Sequence, residues 1–246
     1  MRFFRKKSDG YRKETKQILE HLQCECSVFP KNSKMIEIQE AYRKAKKLGK
    51  SEGFTPLLIV PSETLLENIK CKDEIEGMSI SSIQDGRKIL ANLWEEGTDK
   101  LIEDSLFMTD AESFPEETID EVLSFKGRAG RLEEEVILAK IPTKHPWEIF
   151  ASLPFGGWNT CPSTTEIMAV SKYWYESFGA VPAVMAYDTV EYYLDNPIQN
   201  REEANQLAKE HYAFCEECIW QGTDSGTIVE LANLIKNSSV WHFWWD

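Results

Sequence analysis

Three potential metal ligands lie close together in the C-terminal part of the sequence: His211, Cys215 and Cys218. Their spacing of four and then three residues would place them on one face of a continuous helix. One imidazole and two thiolates are ligands that suit zinc. The same face also carries Ala204 and Leu207, which is typical of a buried helix stripe, and no fourth ligand lies nearby. We therefore predict that the protein holds no metal.

A second possible chemistry is nucleophilic catalysis by Cys161, which precedes Pro162 and a helix that opens at Ser163. A thiol near a helix N-terminus has a lowered pKa, which favours the thiolate. Either His145 or His211 could then serve as its base. The sequence around Cys161 has no thiol-protease signature, so a small residue packed in a tight turn is the favoured interpretation.

A third possibility is a ligand site built from a loop, a strand end and the C-terminal segment. The loop GGWN places Trp158 and Asn159 beside two glycines, which let a backbone approach a ligand closely or make a sharp turn. Asp188 and Glu191 follow the apolar strand VPAVMA, and ligands of α/β sheets gather at the carboxyl ends of strands. The predicted ligand-binding residues are Trp158, Asn159, Asp188, Glu191 and Asp246.

A structural role for the two carboxylates is the alternative. Asp188 would then cap a helix that follows the strand, and Glu191 would lie in the first turn of that helix. No phosphate-binding loop and no dinucleotide fingerprint is present, so no cofactor is predicted.

Charge and length limit the class of partner. The 246 residues include 28 Lys and Arg and 41 Asp and Glu, which gives a net charge of −13. This charge repels phosphate backbones and favours a basic partner, although simple solubility would also explain it. No apolar run of about 18 residues is present, so no membrane span is predicted.

The cysteines and the N-terminal segment favour a cytoplasmic protein. The first residues, MRFFRKKSDGYRKETK, lack the apolar core of a secretory signal. The six cysteines are therefore predicted to be thiols. Cys24 and Cys26 could complete a zinc site only if the fold brought them close to the other thiols.

Apolar segments that alternate with helical patterns predict an α/β fold with a mixed sheet covered by helices. Strands are predicted at 26–30, 57–60, 134–142, 181–188 and 238–246. The best marked helix opens at Ser163, with capping-box spacing to Glu166, and Gly179 ends it. The acidic stretch 103–121 is predicted as surface helix and loop.

Two further features concern the arrangement of these elements. The segments GFTPLLIVPSETLLEN (53–68) and GAVPAVMAYDTVEYYL (179–194) both place Gly, Pro, an apolar strand and a polar helix start in the same order, which suggests two related helix–strand–helix units. In the last strand, SSVWHFWWD, both faces carry bulky apolar side chains. We therefore predict that the C-terminal strand lies in the interior of the sheet.

Several long segments of the C-terminal half together resemble a known family. HPWEIFASLPFGGWNTCP, MAVSKYWYESFGAVPAVMAYDTVEYYL, LAKEHYAFCEECIWQG and VWHFWWD occur in the order found in the bacterial domain-of-unknown-function 4253 family, over roughly residues 140–246. Residues 1–139 resemble the variable N-terminal α/β half of some members, and the two halves are predicted as separate domains or as one continuous domain. The resemblance implies no activity, and Cys218 is not among its motif positions.

The motif positions that the resemblance implies fall on these residues: Trp147, Gly156, Gly157, Trp158, Asn159, Cys161, Pro162, Trp174, Pro182, Asp188, Glu191, Glu210, Tyr212, Cys215, Gln221, Trp241, Trp244, Trp245 and Asp246.

Two functions are consistent with these features. The first is a non-enzymatic interaction protein with an immunity-like role, in which the acidic chain neutralises a basic protein because opposite fields speed their encounter. The second is an enzyme or a small-ligand binder with an acidic pocket near Asp188 and Glu191. Whether the protein is catalytic, and its oligomeric state, stay open at this point.

Overall fold

The computed structural model describes residues 10–70, 83–107 and 117–246. The strands of these residues are β1 (Glu25–Phe29), β2 (Phe54–Ile59), β3 (Val136–Pro142), β4 (Val181–Met185), β5 (Thr189–Tyr193) and β6 (Val240–Trp244). They form one sheet in the order β1–β3–β2–β4–β5–β6. The pair β2–β4 is parallel and the other four neighbouring pairs are antiparallel. The predicted mixed sheet is thus confirmed.

Helices cover both faces of this sheet. In the described residues they are α1 (Lys13–Leu22), α2 (Met35–Glu52), α3 (Glu63–Lys70), α4 (Gly86–Gly97), α5 (Lys100–Phe107), α6 (Ile149–Ser152), α7 (Thr164–Phe178), α8 (Arg201–Phe214), α9 (Glu217–Trp220) and α10 (Ile228–Ile235). Leu57 and Ile59 of β2 belong to a large core cluster with residues of α1, α3, α4, α7, α8 and α10. Leu58 belongs to a smaller cluster with residues of α2. Because successive strand side chains point to opposite faces, the two clusters lie on opposite sides of the sheet.

Helix α7 forms as its sequence predicts. Ser163 is the N-cap, its hydroxyl accepts from the backbone N–H of Glu166, and the Glu166 carboxylate accepts from the backbone N–H of Ser163 at 2.8 Å. Two backbone donors at the start of the helix are satisfied in this way. The helix ends at Gly179, whose φ of 72° lies in the left-handed region that glycine adopts without strain.

The two related units agree only in their first parts. In each of them a helix ends at a left-handed glycine, Gly53 or Gly179, and leads into one of the parallel strands β2 and β4. The units then diverge. A helix, α3, follows β2, whereas after β4 the chain turns at Tyr187 and Asp188 and returns as the strand β5. The prediction that Asp188 caps a helix is therefore wrong, since the residues after it pair with β4 and β6.

The C-terminal strand lies in the sheet but at its edge, so the prediction of an interior strand is wrong in this respect. One face is fully covered, since Trp241, Phe243 and Trp245 are buried there, whereas His242 and Trp244 on the other face are half-buried. Other parts of the chain also cover the free edge. The backbone N–H of Val240 donates to the carbonyl of Ile119, and two cysteine thiols donate to further carbonyls of β6. Such cover protects the edge against pairing with another strand.

The N-terminal and C-terminal halves contribute strands to the same sheet. The division predicted between residues 139 and 140 falls inside β3, which pairs with both β1 and β2. Of the acidic stretch 103–121, residues 108–116 lie outside the described residues, as does Cys71. In the described part of the chain, no helix combines the length and the apolar character that a membrane span needs.

Candidate functional site

The turn between β4 and β5 and the C-terminal residues lie side by side. The backbone N–H of Trp245 donates to the carbonyl of Asp188 at 3.0 Å, and the N–H of Ala186 donates to the carbonyl of Thr189, which closes the turn. The Asp188 carboxylate accepts from the hydroxyl of Thr189 at 2.8 Å. The turn, which lies beyond the carboxyl end of β4, is therefore fixed to the end of β6.

The GGWN loop reaches the same place. Gly156 and Gly157 have φ of 97° and 85°. A Cβ on Gly156 would lie 2.0 Å from the carbonyl oxygen of Pro162, so the close approach requires glycine. At the end of the loop, the side-chain amide of Asn159 donates to the main-chain oxygen of Asp246 at 2.6 Å.

Aromatic packing fixes Trp158 on the same structure. Its ring contacts Phe155 edge to face at a centroid distance of 5.0 Å, and Phe155 in turn packs on Trp245 at 5.7 Å. Trp158 itself is half-buried. A backbone hydrogen bond therefore holds the turn on the C-terminal strand, and the Asn159 side chain and a chain of rings hold the loop there.

Tyr187 is a member of this site that the sequence analysis missed. Its side chain is 47% exposed. A hydrogen bond to Asp188 raises the pKa of the Tyr187 hydroxyl, and the negative charges of Asp188 and Asp246 raise it further. The signal in the sequence was the Tyr-Asp pair directly after a buried strand. We call Trp158, Asn159, Tyr187, Asp188 and Asp246 the C-terminal cluster.

Glu191 lies apart from the C-terminal cluster. It is a residue of β5 with no exposed surface, not a residue of a first helical turn. Its carboxylate accepts from the backbone N–H groups of Leu123 and Ser124, the latter at 2.6 Å, and from the Ser124 hydroxyl. Burial raises the pKa of Glu191 to about 7, although the hydrogen bonds from Ser124 and Leu123 oppose this effect.

This buried carboxylate should make stability depend on pH. Because the Glu191 pKa is about 7 in the folded protein and 4.5 without burial, the folded state binds its proton more tightly. The contribution of Glu191 to the free energy of unfolding should be greatest below pH 4.5. It should fall by about 3 kcal/mol as the pH rises to about 7. Glu191→Gln should remove this dependence in urea unfolding measured from pH 4 to 8.

A second variant separates the carboxylate from other titrating groups. Ser124→Ala removes a hydrogen bond that lowers the Glu191 pKa, so the decline in stability should extend to higher pH. If Glu191→Gln and wild-type protein showed parallel pH profiles, the assignment of this pKa to Glu191 would be wrong.

His211, Cys215 and Cys218 do not share a helix face, because α8 ends at Phe214 and α9 begins only at Glu217. The thiols instead face the edge of β6. Cys215 donates to the carbonyl of Trp244 at 3.0 Å, and Cys218 donates to that of His242 at 3.6 Å. Across the described ranges, no group of three or more His, Cys, Asp or Glu side chains is placed to hold a metal ion.

The absence of a structural zinc stays a prediction. Elemental analysis of untagged protein should find far less than one zinc for each chain, because the thiols already donate to carbonyls of β6. A chelator should leave the unfolding transition unchanged. One zinc for each chain, lost together with folding on chelation, would contradict the prediction.

Cys161 lies in a setting that opposes nucleophilic chemistry. It is buried, and burial raises the pKa of its thiol well above the usual range, whereas a helix N-terminus had suggested a lowered pKa. Its backbone N–H closes the GGWN turn by donating to the carbonyl of Trp158 at 2.8 Å. His145 stacks on Trp147 with ring centroids 5.5 Å apart. The interpretation as a small residue in a tight turn fits these contacts.

The architecture defines a class: an α/β protein whose mixed six-stranded sheet carries helices on both faces and whose C-terminal strand forms one edge. Residues 137–246 match the family model described as domain of unknown function (DUF4253). The resemblance of the C-terminal half to this family is thus confirmed, and the matched region begins within β3. The chain matches no curated protein and no solved structure.

Proposed function

We propose that this protein is a cytoplasmic, non-enzymatic interaction protein that binds a basic protein partner through the C-terminal cluster. The observation that carries the proposal is the convergence of three segments distant in sequence on one partly exposed site. These segments bring two carboxylates, Asp188 and Asp246, next to Tyr187, whose ring is 47% exposed. The described cysteines are free thiols, which suits a reducing compartment.

The chemistry of the cluster suits a lysine or arginine side chain. A cation that approaches Asp188 and Asp246 gains from both charges, and the ring of Tyr187 offers a face for a cation–π contact. Asn159 holds the end of the chain through the main-chain oxygen of Asp246, so the cluster does not need to be ordered on binding. The net charge of −13 would speed the encounter with a basic protein and orient it.

An enzyme or ligand binder that uses Asp188 and Glu191 together is less well supported. The Glu191 carboxylate is buried and already accepts from Leu123 and Ser124. A substrate on the Asp188 side would have to break these hydrogen bonds to reach it. A general acid or base must lie within hydrogen-bond reach of the proton that it transfers, directly or through one water.

A charge-matched pair of variants tests the proposal. Asp188→Asn combined with Asp246→Asn removes two charges from the cluster. Glu37→Gln combined with Glu40→Gln removes two charges from α2, which packs on β2 and β3. Anisotropy of a labelled arginine-rich peptide should show about tenfold weaker binding for the cluster variant. The α2 variant should bind nearly as wild type does.

The comparison of the two variants, and not the salt dependence of binding, separates local contacts from the general field of the protein. Rising salt screens both, but only the local contacts differ between two variants of equal net charge. If both variants weakened the binding of the peptide equally, net charge alone would attract the peptide. The cluster would then have no specific role.

A further inference from the structure

Cys24 and Cys26 lie side by side at the junction between α1 and β1, far from the C-terminal cluster in the sequence. Their Sγ atoms are 3.8 Å apart. Both side chains pack on the large core cluster but keep part of their surface exposed. Glu25, between them, is exposed and pairs with Lys140. The junction therefore presents two neighbouring thiols on one face of the chain.

The backbone at this junction allows the two sulfur atoms to approach each other further. A disulfide needs sulfur atoms about 2 Å apart and Cα atoms no more than about 7 Å apart, which is close to the span of two extended residues. Cys24 lies at a bend, directly after Gln23, whose φ of 49° ends α1. The pairing of β1 with β3 begins only at Glu25. Cys24 can therefore move towards Cys26 without breaking the register of β1.

The two thiols differ in their readiness to ionise. The hydrogen bond from the Cys26 thiol lowers the pKa of Cys24, because it stabilises the Cys24 thiolate. The same hydrogen bond raises the pKa of Cys26 well above its usual range, and burial raises it further. The thiolate is the nucleophile of disulfide exchange. Cys24 is therefore suited to attack a disulfide, and Cys26 is placed to attack Cys24 afterwards.

We propose that Cys24 and Cys26 form a thiol–disulfide exchange site for the disulfide of a small thiol compound. The Cys24 thiolate attacks one sulfur of that disulfide, which forms a mixed disulfide and releases one thiolate. The Cys26 thiol then gives its proton to the released thiolate and attacks Cys24 Sγ, which expels the second half of the compound as a thiolate. The two protein thiols lose two electrons, and the disulfide of the compound is reduced to two thiols.

The first step makes the second one easier. Once the Cys24 sulfur is part of a mixed disulfide, it carries no negative charge that opposes the ionisation of Cys26. The product closes a ring across a single residue, so it is strained, and strained disulfides are readily reduced. The reaction therefore runs backwards when the reduced thiol compound is in excess. A transient disulfide of this kind suits a reducing compartment.

Glutathione disulfide is the probe, and the full chain is used. Trypsin releases residues 17–31, which contain Cys24 and Cys26 and no other cysteine. After remaining thiols are alkylated, mass spectrometry of this peptide should show an internal disulfide in wild-type protein, with two hydrogen atoms lost and no alkyl group gained. Excess reduced glutathione should reverse the change. Cys26→Ser should stop at the mixed disulfide, with one glutathione on Cys24.

Two comparisons assign the roles of the thiols. Cys24→Ser should form a mixed disulfide at least about tenfold more slowly than Cys26→Ser does, because the remaining thiol of Cys26 stays protonated. Cys215→Ser combined with Cys218→Ser is the matched control, since these thiols donate to carbonyls of β6, and its peptide 17–31 should be oxidised as in wild type.

Three results would overturn the proposal. The first is a wild-type peptide 17–31 without an internal disulfide at every ratio of oxidised to reduced glutathione. The second is a wild-type reaction that ends at the mixed disulfide. The third is an equal rate of mixed-disulfide formation in Cys24→Ser and Cys26→Ser.

Discussion

Removal of residues 241–246 is expected to abolish cooperative folding. The segment contributes three of the largest buried side chains, Trp241, Phe243 and Trp245, and most of the strand that pairs with β5. Each buried aromatic contributes about 2–3 kcal/mol through the area that it removes from water. Their combined loss approaches the whole stability of a typical domain, about 5–15 kcal/mol. Thermal unfolding followed by near-ultraviolet circular dichroism should give no cooperative transition.

A shorter truncation provides the control. Removal of Asp246 alone takes away an exposed residue and one hydrogen bond from Asn159, so a cooperative transition should remain. If the chain that lacks 241–246 melted cooperatively near the temperature of the full chain, β6 would not be an essential part of the core.

Trp174→Ala should cause a large loss of stability for a single substitution. Trp174 has no exposed surface and lies at the centre of the aromatic core, with ring centroids of Tyr192, His211, Phe214, Trp241 and Phe243 between 5.0 and 5.7 Å away. Truncation of a buried tryptophan costs about 3–5 kcal/mol because of lost burial and the cavity left behind. The change also removes a hydrogen-bond donor from Glu210.

Urea unfolding of Trp174→Ala should therefore give a free energy lower by about 4 kcal/mol, and the melting temperature should fall by roughly 8–16 °C. Trp220→Ala is the matched control, because Trp220 is 47% exposed and should cost less than about 1 kcal/mol. Equal losses in the two variants would contradict the central position of Trp174.

Local signals in the sequence were sufficient for elements that local contacts stabilise. The cap at Ser163 and the glycine at position 179 lie within a few residues of the groups that they satisfy. The apolar runs of β2 and β4 are buried as predicted, because burial on both faces leaves a continuous apolar pattern.

The strand β5 was missed because two opposing local signals meet there. Asp188 followed three residues later by Glu191 is typical of a helix start, whereas the sequence TVEYY favours a strand. Pairing with β4 and β6 decides between them, and that pairing is not visible locally. The buried Glu191 carboxylate accepts a hydrogen bond from Ser124, which lies 67 residues earlier in the chain and is not visible as a partner from the local sequence.

The edge position of β6 was hidden for a related reason. Bulky apolar side chains on both faces predict burial, but they do not distinguish an interior strand from an edge strand that other segments cover. The cover comes from Ile119 and from the thiols of Cys215 and Cys218, whose roles are set by tertiary contacts alone. The convergence of Asn159, Asp188 and Asp246 was easier to predict, since strand ends and a glycine loop meet there, and the role of these residues in binding stays a prediction.

The central claim is that the C-terminal cluster receives a basic side chain, and nuclear magnetic resonance tests it most directly. Titration of the labelled full chain with the arginine-rich peptide should first shift the signals of the Asn159 side-chain amide and of the Tyr187 ring. These shifts should saturate at the same peptide concentration as the anisotropy signal. The signals of Glu37 and Glu40 on α2 should stay in place. If the largest shifts were instead spread over exposed acidic residues while Asn159 and Tyr187 did not move, the proposed binding site would be contradicted.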